Sequence, residues 1–328
     1  MARERRSGPG RTAGERELIA SIRKSARQRL GRRWSGILTL GIGDDCAVLR
    51  PRSGREIVVT TDLSLENVHF HRDWHPPQSV GHRCLARGLS DLAAMGARPE
   101  VAFLSLALPA ELTGKWIDGF LEGFFALADQ YRVPLAGGDM AKSSLVVADI
   151  VLLGSAPKGK ALLRSGAHAG DTIYVTGALG GSAAELQALA RRPKDFRKAD
   201  RAGHPHLYPE PRLTAGRRLR GLATAAIDLS DGLSTDLSHL CEESNLAAEI
   251  DATALPIDAR ATLEQALHGG EDYELLFTAS PRTRIPAQLG GVAVHAIGSM
   301  KKSKEHRIVL TDGRKRTLLV AGGWEHFR

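Results

Sequence analysis

The chain has 328 residues, 42% of them hydrophobic and 25% charged, values that exclude wholesale disorder and a fibrous chain. No apolar run reaches the length of a membrane span and residues 1–17 lack the apolar stretch of a secretion signal, so the cytoplasm is the expected compartment and no membrane partner is expected. The net charge of +8 is contained in residues 1–33, where ten arginines and Lys24 stand against Glu4, Glu15 and Glu17; the remainder is charge-balanced, so nucleic acid is not expected as a partner.

At this length two α/β domains are expected. After the basic arm, a helix is predicted at about 15–30, then strands at about 45–50 and 56–61, where β-branched residues cluster in EIVVTTD. Val80, Cys84, Leu85, Leu89 and Leu92 recur at helical spacing, giving a helix from 79 to 95 that Gly96 and Pro99 stop. A strand at about 100–108, a helix at 112–131 and strands at 133–136 and 145–154 complete one domain, 34–156. The second, 157–328, starts with a glycine- and lysine-punctuated crossing, a strand in DTIYVTG and a helix in GGSAAELQALA. Residues 191–212 form a basic, proline-marked loop, long enough to suggest a lid. Strands at 223–228, 246–251, 273–278 and 292–298 and helices at 233–244 and 259–267 follow. The fold class is α/β, of the α+β kind.

Five short acidic motifs carry the chemistry: GIGDD (41–45), TTD (60–62), SD (90–91), GGD (137–139) and DLSDG (228–232). Carboxylates that gather in a fold repel one another unless cations meet their charge, and hard oxygen donors such as Asp and Thr suit magnesium with a phosphorylated ligand. Asp91 is expected near the end of a rigid helix. The two glycines before Asp139 are read as a turn that lets amides approach a phosphate, and Asp228 and Asp231 flank a helix start, where Asp231 is either a ligand or that helix's cap. GIGDDC fails the dinucleotide fingerprint because Cys46 takes its last glycine position, and GSAPKGKA fails the Walker pattern because Ala161 lacks the hydroxyl. The HFHRDWH stretch offers no closed zinc site; His69 is read as an anion contact, and His71 and His75 as surface residues. Cys46, Cys84 and Cys241 show no pairing pattern and are expected to be reduced.

In order, GIGDDCAVL, TTDLSLENVHF, LSDLAAMGARP, GGD, GKALLRSGAHAGD, IDLSDGLSTDL, GGEDYELLFT and the terminal WEHF resemble the thiamine-monophosphate kinase family, of the aminoimidazole-ribotide-synthetase-like superfamily. The resemblance implies that architecture in two domains: an N-terminal mixed-sheet domain that forms a homodimer, and a C-terminal α/β domain closing a cleft for ATP and several magnesium ions. It implies that Asp44, Asp45, Thr60, Thr61, Asp62, Asp91, Asp139, Asp228 and Asp231 hold metal, with Asp45, Asp91 and Asp231 central to catalysis. It implies Gly138, Asp139, Arg164 and Ser230 for the nucleotide, and His69, Glu271 and Trp324 for thiamine monophosphate. Two positions depart from the family pattern: Gly88, where Asn is common, and Met140, where Thr follows GGD.

The implied reaction is transfer of the ATP γ-phosphoryl group in line to thiamine monophosphate, the last step of thiamine diphosphate biosynthesis. The acceptor is already an oxyanion, so the barrier lies in aligning two negative groups rather than in removing a proton. Two alternatives are weighed. One is another ATP-using superfamily member, a hydrogenase-maturation or selenophosphate-synthetase type, against which the lack of a terminal or N-terminal reactive cysteine counts. The other is a noncatalytic polyanion-binding protein working through the arm.

Overall fold

The computed structural model describes residues 14–30, 36–196, 203–303 and 305–327. Most of the expected basic arm, and the middle of the expected lid at 197–202, lie outside the described residues. Helix α1 (Glu15–Leu30) is followed by a two-stranded pair, β1 (Leu38–Leu40) and β2 (Val48–Leu49), whose connection carries the GIGDD motif. Then come β3 (Arg55–Leu65), α2 (Pro77–Ala94), β4 (Arg98–Leu108), α3 (Lys115–Tyr131), β5 (Leu135–Lys142) and β6 (Val147–Pro157). These strands form a mixed sheet in the order β3-β6-β4-β5, antiparallel except for the parallel β4–β5 pair.

The second half holds β7 (Thr172–Thr176), α4 (Gly181–Arg191), α5 (Leu213–Leu219), β8 (Ala225–Asp228), α6 (Leu233–Ser244), β9 (Ala247–Asp251), α7 (Leu263–His268), β10 (Leu275–Ala279), β11 (Gln288–Leu289), β12 (Val292–Lys301), β13 (Ile308–Asp312) and β14 (Lys315–Leu319). They build a second mixed sheet ordered β14-β13-β9-β12-β7-β10-β8, with β11 paired to β12. Helix α5 and the β13–β14 hairpin were not predicted; seven residues of α5 are too few for a readable period. The predicted short strand at 133–136 continues to Lys142, so Gly137, Gly138 and Asp139 lie within a strand and not in a turn after one.

Alternation along β6 explains the first domain. Ala148, Ile150 and Leu152 are fully buried under α2, whereas Val147, Asp149, Val151 and Leu153 are only half-buried on the other face. Across the sheet Val58, Thr60, Asp62 and Ser64 of β3 share the helix side, and Ile57, Val59, Thr61 and Leu63 the outer side. Helix α2 starts on Pro77, where a missing amide costs nothing, and ends before Gly96, which takes φ 62°. Helices α2 and α3 touch backbone to backbone: a Cβ on Gly123 would lie 1.8 Å from the Gln78 carbonyl oxygen, so only glycine permits the approach.

One core runs across both halves, from Leu85 and Leu89 of α2, Phe120 and Phe124 of α3 and Ile150 of β6 to Leu213 and Leu219 of α5 and Phe277 of β10. Each such side chain contributes about 1.5–3 kcal/mol on burial. A second core, with Ile173, Ile227, Leu237, Leu240 and Leu276, lies wholly in the second half. Helix α2 is thereby clamped between the two sheets. Cys84 and Cys241 are buried, Cys46 is exposed, and all three are free thiols.

Candidate active site

The last turns of α2 reach the boundary between the two sheets, and there carboxylates from three elements meet. The Thr60 hydroxyl on β3 donates to Asp91 Oδ2 on α2. The Ser90 hydroxyl donates to Asp228 Oδ2 at the end of β8, at 2.6 Å. Asp62, two residues along β3 from Thr60, accepts from Arg87 Nη2 at 2.8 Å. Burial and the neighbouring Asp228 push the Asp91 carboxyl up to about 7, and burial likewise raises Asp228, Asp62 and Asp231. Such a set favours a cation, because neutralising it relieves both desolvation and mutual repulsion.

Asp62, Asp91, Asp228 and Asp231 line a cavity of about 410 Å³, closed on its other sides by His69, Trp74, Arg87, Glu271, Tyr273 and Trp324. Glu271 takes φ 64° after Gly270, a left-handed turn that aims its carboxylate at Arg83 Nη2, 2.6 Å away. Arg83 holds the Glu271 carboxyl well below the usual range against its burial. His69 accepts at Nδ1 from the Leu65 amide at 2.9 Å; burial, with Arg87 next, lowers it to about 4, so the ring is neutral and Nε2 carries the proton. The exposed Trp324 is tied by its amide to the Asp231 carbonyl at 3.0 Å. Ser230 lines the same cavity.

Asp231 is not the helix cap. Asp236, one turn inside α6, accepts from the amides of Asp231 and Gly232 at 3.1 and 3.0 Å, and with His239 it offers ligand atoms within 4.8 Å of Asp231. Arg164, in a single 3-10 turn, is exposed and borders a smaller cavity of about 250 Å³ behind Thr60, Asp91 and Asp228.

The other expected ligands are elsewhere. Asp44, Asp45, Gly138 and Asp139 line a separate cavity of about 570 Å³ beneath α1. One chain therefore does not collect all five acidic motifs into one pocket, as the sequence reading expected. Thr61 alternates to the outer face of β3, away from Thr60 and Asp62.

Several residues that shape the cavity were not anticipated. His75, expected on the surface, is buried, its Nε2 3.1 Å from His206 Nε2; burial lowers it to about 3, and His206 is lowered too. His71, also expected on the surface, is half-buried against the Trp74 ring at 4.2 Å. The described end of the supposed lid, 203–212, is a pinned strap: Pro209 O accepts from His82 Nε2 at 2.8 Å, His206 O from Arg83, and Arg212 pairs with the buried Glu274. Arg83 and Arg87 stand at helical spacing on one face of α2 with Asp91, a signal the sequence reading did not use, and only the fold shows that Arg87 and Asp91 line the cleft. Gly88, where the family pattern carries Asn, packs against Leu152 and Ile150, and a Cβ there would meet the Leu152 side chain at 2.8 Å.

The family model described as AIR synthase related protein, N-terminal domain, matches residues 43–156, and its C-terminal counterpart matches residues 168–311. Thiamine-monophosphate kinase of Escherichia coli K12 is 40% identical over 302 residues, covering 88% of this chain and 92% of its own length. The chain belongs to the thiamine-monophosphate kinase family. The family enzyme of Bacillus subtilis is 34% identical over 304 residues, covering 88% of this chain and 94% of its own. The crystal structure of thiamine-monophosphate kinase from Stenotrophomonas maltophilia K279a superposes with a TM-score of 0.80 at 37% identity, over 88% of this chain and 95% of that one. "AaThiL complexed with AMPPCP and TMP" gives 0.74 at 29% identity, over 96% and 97%. A hydrogenase maturation protein with ATP, at 17% identity, shares the fold alone. Among the described residues no helix is long and apolar enough to cross a membrane.

Proposed function

We propose that this chain transfers the γ-phosphoryl group of ATP to thiamine monophosphate, yielding thiamine diphosphate and ADP, the last step of thiamine diphosphate biosynthesis. The observation that carries the reading is the meeting of Asp62, Asp91, Asp228 and Asp231 in one cleft between the two sheets of a chain of this family. An acceptor phosphate oxygen attacks the γ-phosphorus, the bond to the β–γ bridging oxygen breaks, and ADP leaves with that electron pair. No side chain is needed to remove a proton. Incubating the protein with ATP, magnesium and thiamine monophosphate, with separation of the products, is the test; a folded protein that makes no thiamine diphosphate would refute the assignment.

Magnesium fits the donors present: hard oxygens of Thr60, Asp62, Asp91, Asp228 and Asp231, with carboxyls already raised by burial and repulsion. When bound, several such ions supply charge that draws the two anionic phosphates together. Asp91 and Asp231 hold this centre, and Ser90 and Thr60 orient its carboxylates. Arg164 and Ser230 serve the nucleotide; His69, Glu271 and Trp324 serve the thiamine phosphate. The His69 Nε2–H is a neutral donor for an anionic ligand, and the Trp324 face suits a cationic ring.

Asp44, Asp45, Gly138 and Asp139 complete the nucleotide and metal site from a second copy. The outer sheet face that Asp139 shares carries exposed Ile57, Val59 and Leu63, a stripe of the kind that marks a protein interface. Two copies packed by that face, the β3 edge of one beside the β5 edge of the other, form a homodimer in which each cleft receives the partner's GGD strand. Residues 34–156 are then the dimerising domain and 157–328 the part that closes the cleft, in an enzyme of the cytoplasm.

A further inference from the structure

After β14 the chain comes back to the cleft, where Trp324 and His326 line the larger cavity. Three successive amides of this tail are met at the start of α6. Gly322 N–H donates to Ser234 Oγ at 3.2 Å, Gly323 N–H to Thr235 Oγ1 at 3.1 Å and Trp324 N–H to the Asp231 carbonyl at 3.0 Å. The approach is close, since a Cβ on Gly323 would lie 1.9 Å from the Asp231 carbonyl oxygen. Beyond this seat the Trp324 indole N–H donates to His326 Nε2 at 3.4 Å, and the His326 ring lies 5.3 Å from that of His69, in the segment after β3. Apolar burial does little to hold the tail, because Val320, Trp324 and Phe327 are all exposed. Polar contacts set its position, with Ser234 and Thr235 as side-chain acceptors.

Resting on the function proposed above, we infer that Ser234 and Thr235 are positioning residues for the acceptor: by seating the tail they hold Trp324 at the cavity for the cationic ring of thiamine monophosphate, and His326 steadies the indole. Neither hydroxyl lines the cavity, so both act through Trp324 and not on the ligand. An aromatic wall already held in place loses less freedom when the ligand arrives. The acceptor is favoured over the nucleotide by position. Trp324 and His326 line the larger cavity, whereas the smaller one behind Asp91 and Asp228 is bordered by Arg164 and by neither of them. Residues 228–235 thereby serve twice, with Asp228 and Asp231 lining the cleft and Ser234 and Thr235 holding the tail. Ser234 Oγ also meets His268 Nδ1 at 2.8 Å, so a change at Thr235 isolates the seat better.

The test is calorimetric titration of the full-length protein with thiamine monophosphate and with AMPPCP in magnesium buffer. Thr235→Val keeps the side-chain shape without the acceptor, and Thr235→Ser keeps the acceptor. Thiamine monophosphate affinity should fall about fivefold in Thr235→Val, the worth of one hydrogen bond, and stay within twofold in Thr235→Ser. Gly323→Ala, whose Cβ collides with backbone and unseats the tail, should lose tenfold or more. AMPPCP affinity should stay within twofold throughout. Adding Thr235→Val to Trp324→Leu should change nothing further, because the hydroxyl acts through that ring. Unchanged thiamine monophosphate binding in Thr235→Val, an equal loss for AMPPCP, or an undiminished further loss in the Trp324→Leu background overturns the assignment; if Gly323→Ala does not fold, the Thr235 variants decide. A wild type that cannot make thiamine diphosphate overturns the proposed function itself, while an active wild type with an indifferent Thr235→Val overturns the role of the seat alone.

Discussion

Asp62 and Asp139 stand at nearly the same level of one four-stranded sheet yet face opposite ways. Register runs from Asp62 to Ile150, from Ile150 to Leu104 and from Leu104 to Gly138, so the two aspartates are separated by three strand spacings, roughly 14 Å. Asp62 shares the helix-covered face with Ile150, and Asp139 shares the outer face with Ser105 and Asp149. No side-chain rotation joins them within one chain, because the sheet itself lies between.

A subunit-mixing experiment follows. Asp91→Asn and Asp139→Asn should each be inactive alone, and unfolding and refolding them together should restore up to about a quarter of wild-type turnover, since half the dimers are mixed and each then has one intact site. No recovery would place both carboxylates in the same subunit's site.

The outer sheet face should respond to charge. Val59 and Leu63 are 57% and 47% exposed, and Val59→Glu with Leu63→Glu would bury two like charges at a twofold contact. Sedimentation velocity should show a dimer for the wild type and a monomer for the double variant, with turnover lost and the far-ultraviolet spectrum kept. A wild type that sediments as a monomer would contradict the proposed interface.

Proton linkage at Asp91 gives a signed prediction. In the metal-free fold its carboxyl is raised to about 7, first by burial and then by Asp228, whereas in the unfolded chain it releases its proton near its ordinary value of 3.8. Between those values the folded state binds the extra proton, so this group's contribution falls as pH rises through the window. Asp91→Asn should therefore melt higher than wild type at pH 8, by on the order of 2 kcal/mol, and the gap should close by pH 4. His69 and His75, lowered to about 4 and 3 chiefly by burial, act in the opposite sense and cancel in the comparison. A constant gap across pH would show that repulsion at Asp91 is absent.

Magnesium should stabilise the wild type by about 2.7 kcal/mol at a hundredfold excess over its dissociation constant, and Asp91→Asn by clearly less. Thermal scans with EDTA and with magnesium read this directly, and EDTA should abolish transfer. Equal stabilisation of both proteins would remove Asp91 from the ligands.

Packing between α2 and α3 predicts a purely structural loss. Gly123→Ala sets a Cβ 1.8 Å from the Gln78 carbonyl oxygen, and because both partners are backbone, the helices must separate; the cost should reach about 3 kcal/mol. Denaturant unfolding checks it, and a near-neutral result would mean that the helix contact is looser than the geometry requires.

The sequence by itself determined most of the longer elements, the acidic motifs and the family, because these depend on local period, turn chemistry and fixed spacing, whereas the seven residues of α5 and the β13–β14 hairpin escaped it. The helix at 79–95 and the strands around TTD and DLSDG were legible for that reason: each is long or strongly patterned, and each delivers its aspartate at a predictable point. Only the tertiary structure decided how the aspartates divide. A strand's side chains alternate, so whether Thr61 or Thr60 joins Asp91 depends on which face α2 covers, and whether Asp139 meets Asp62 depends on strand order. Neither is written in any local pattern.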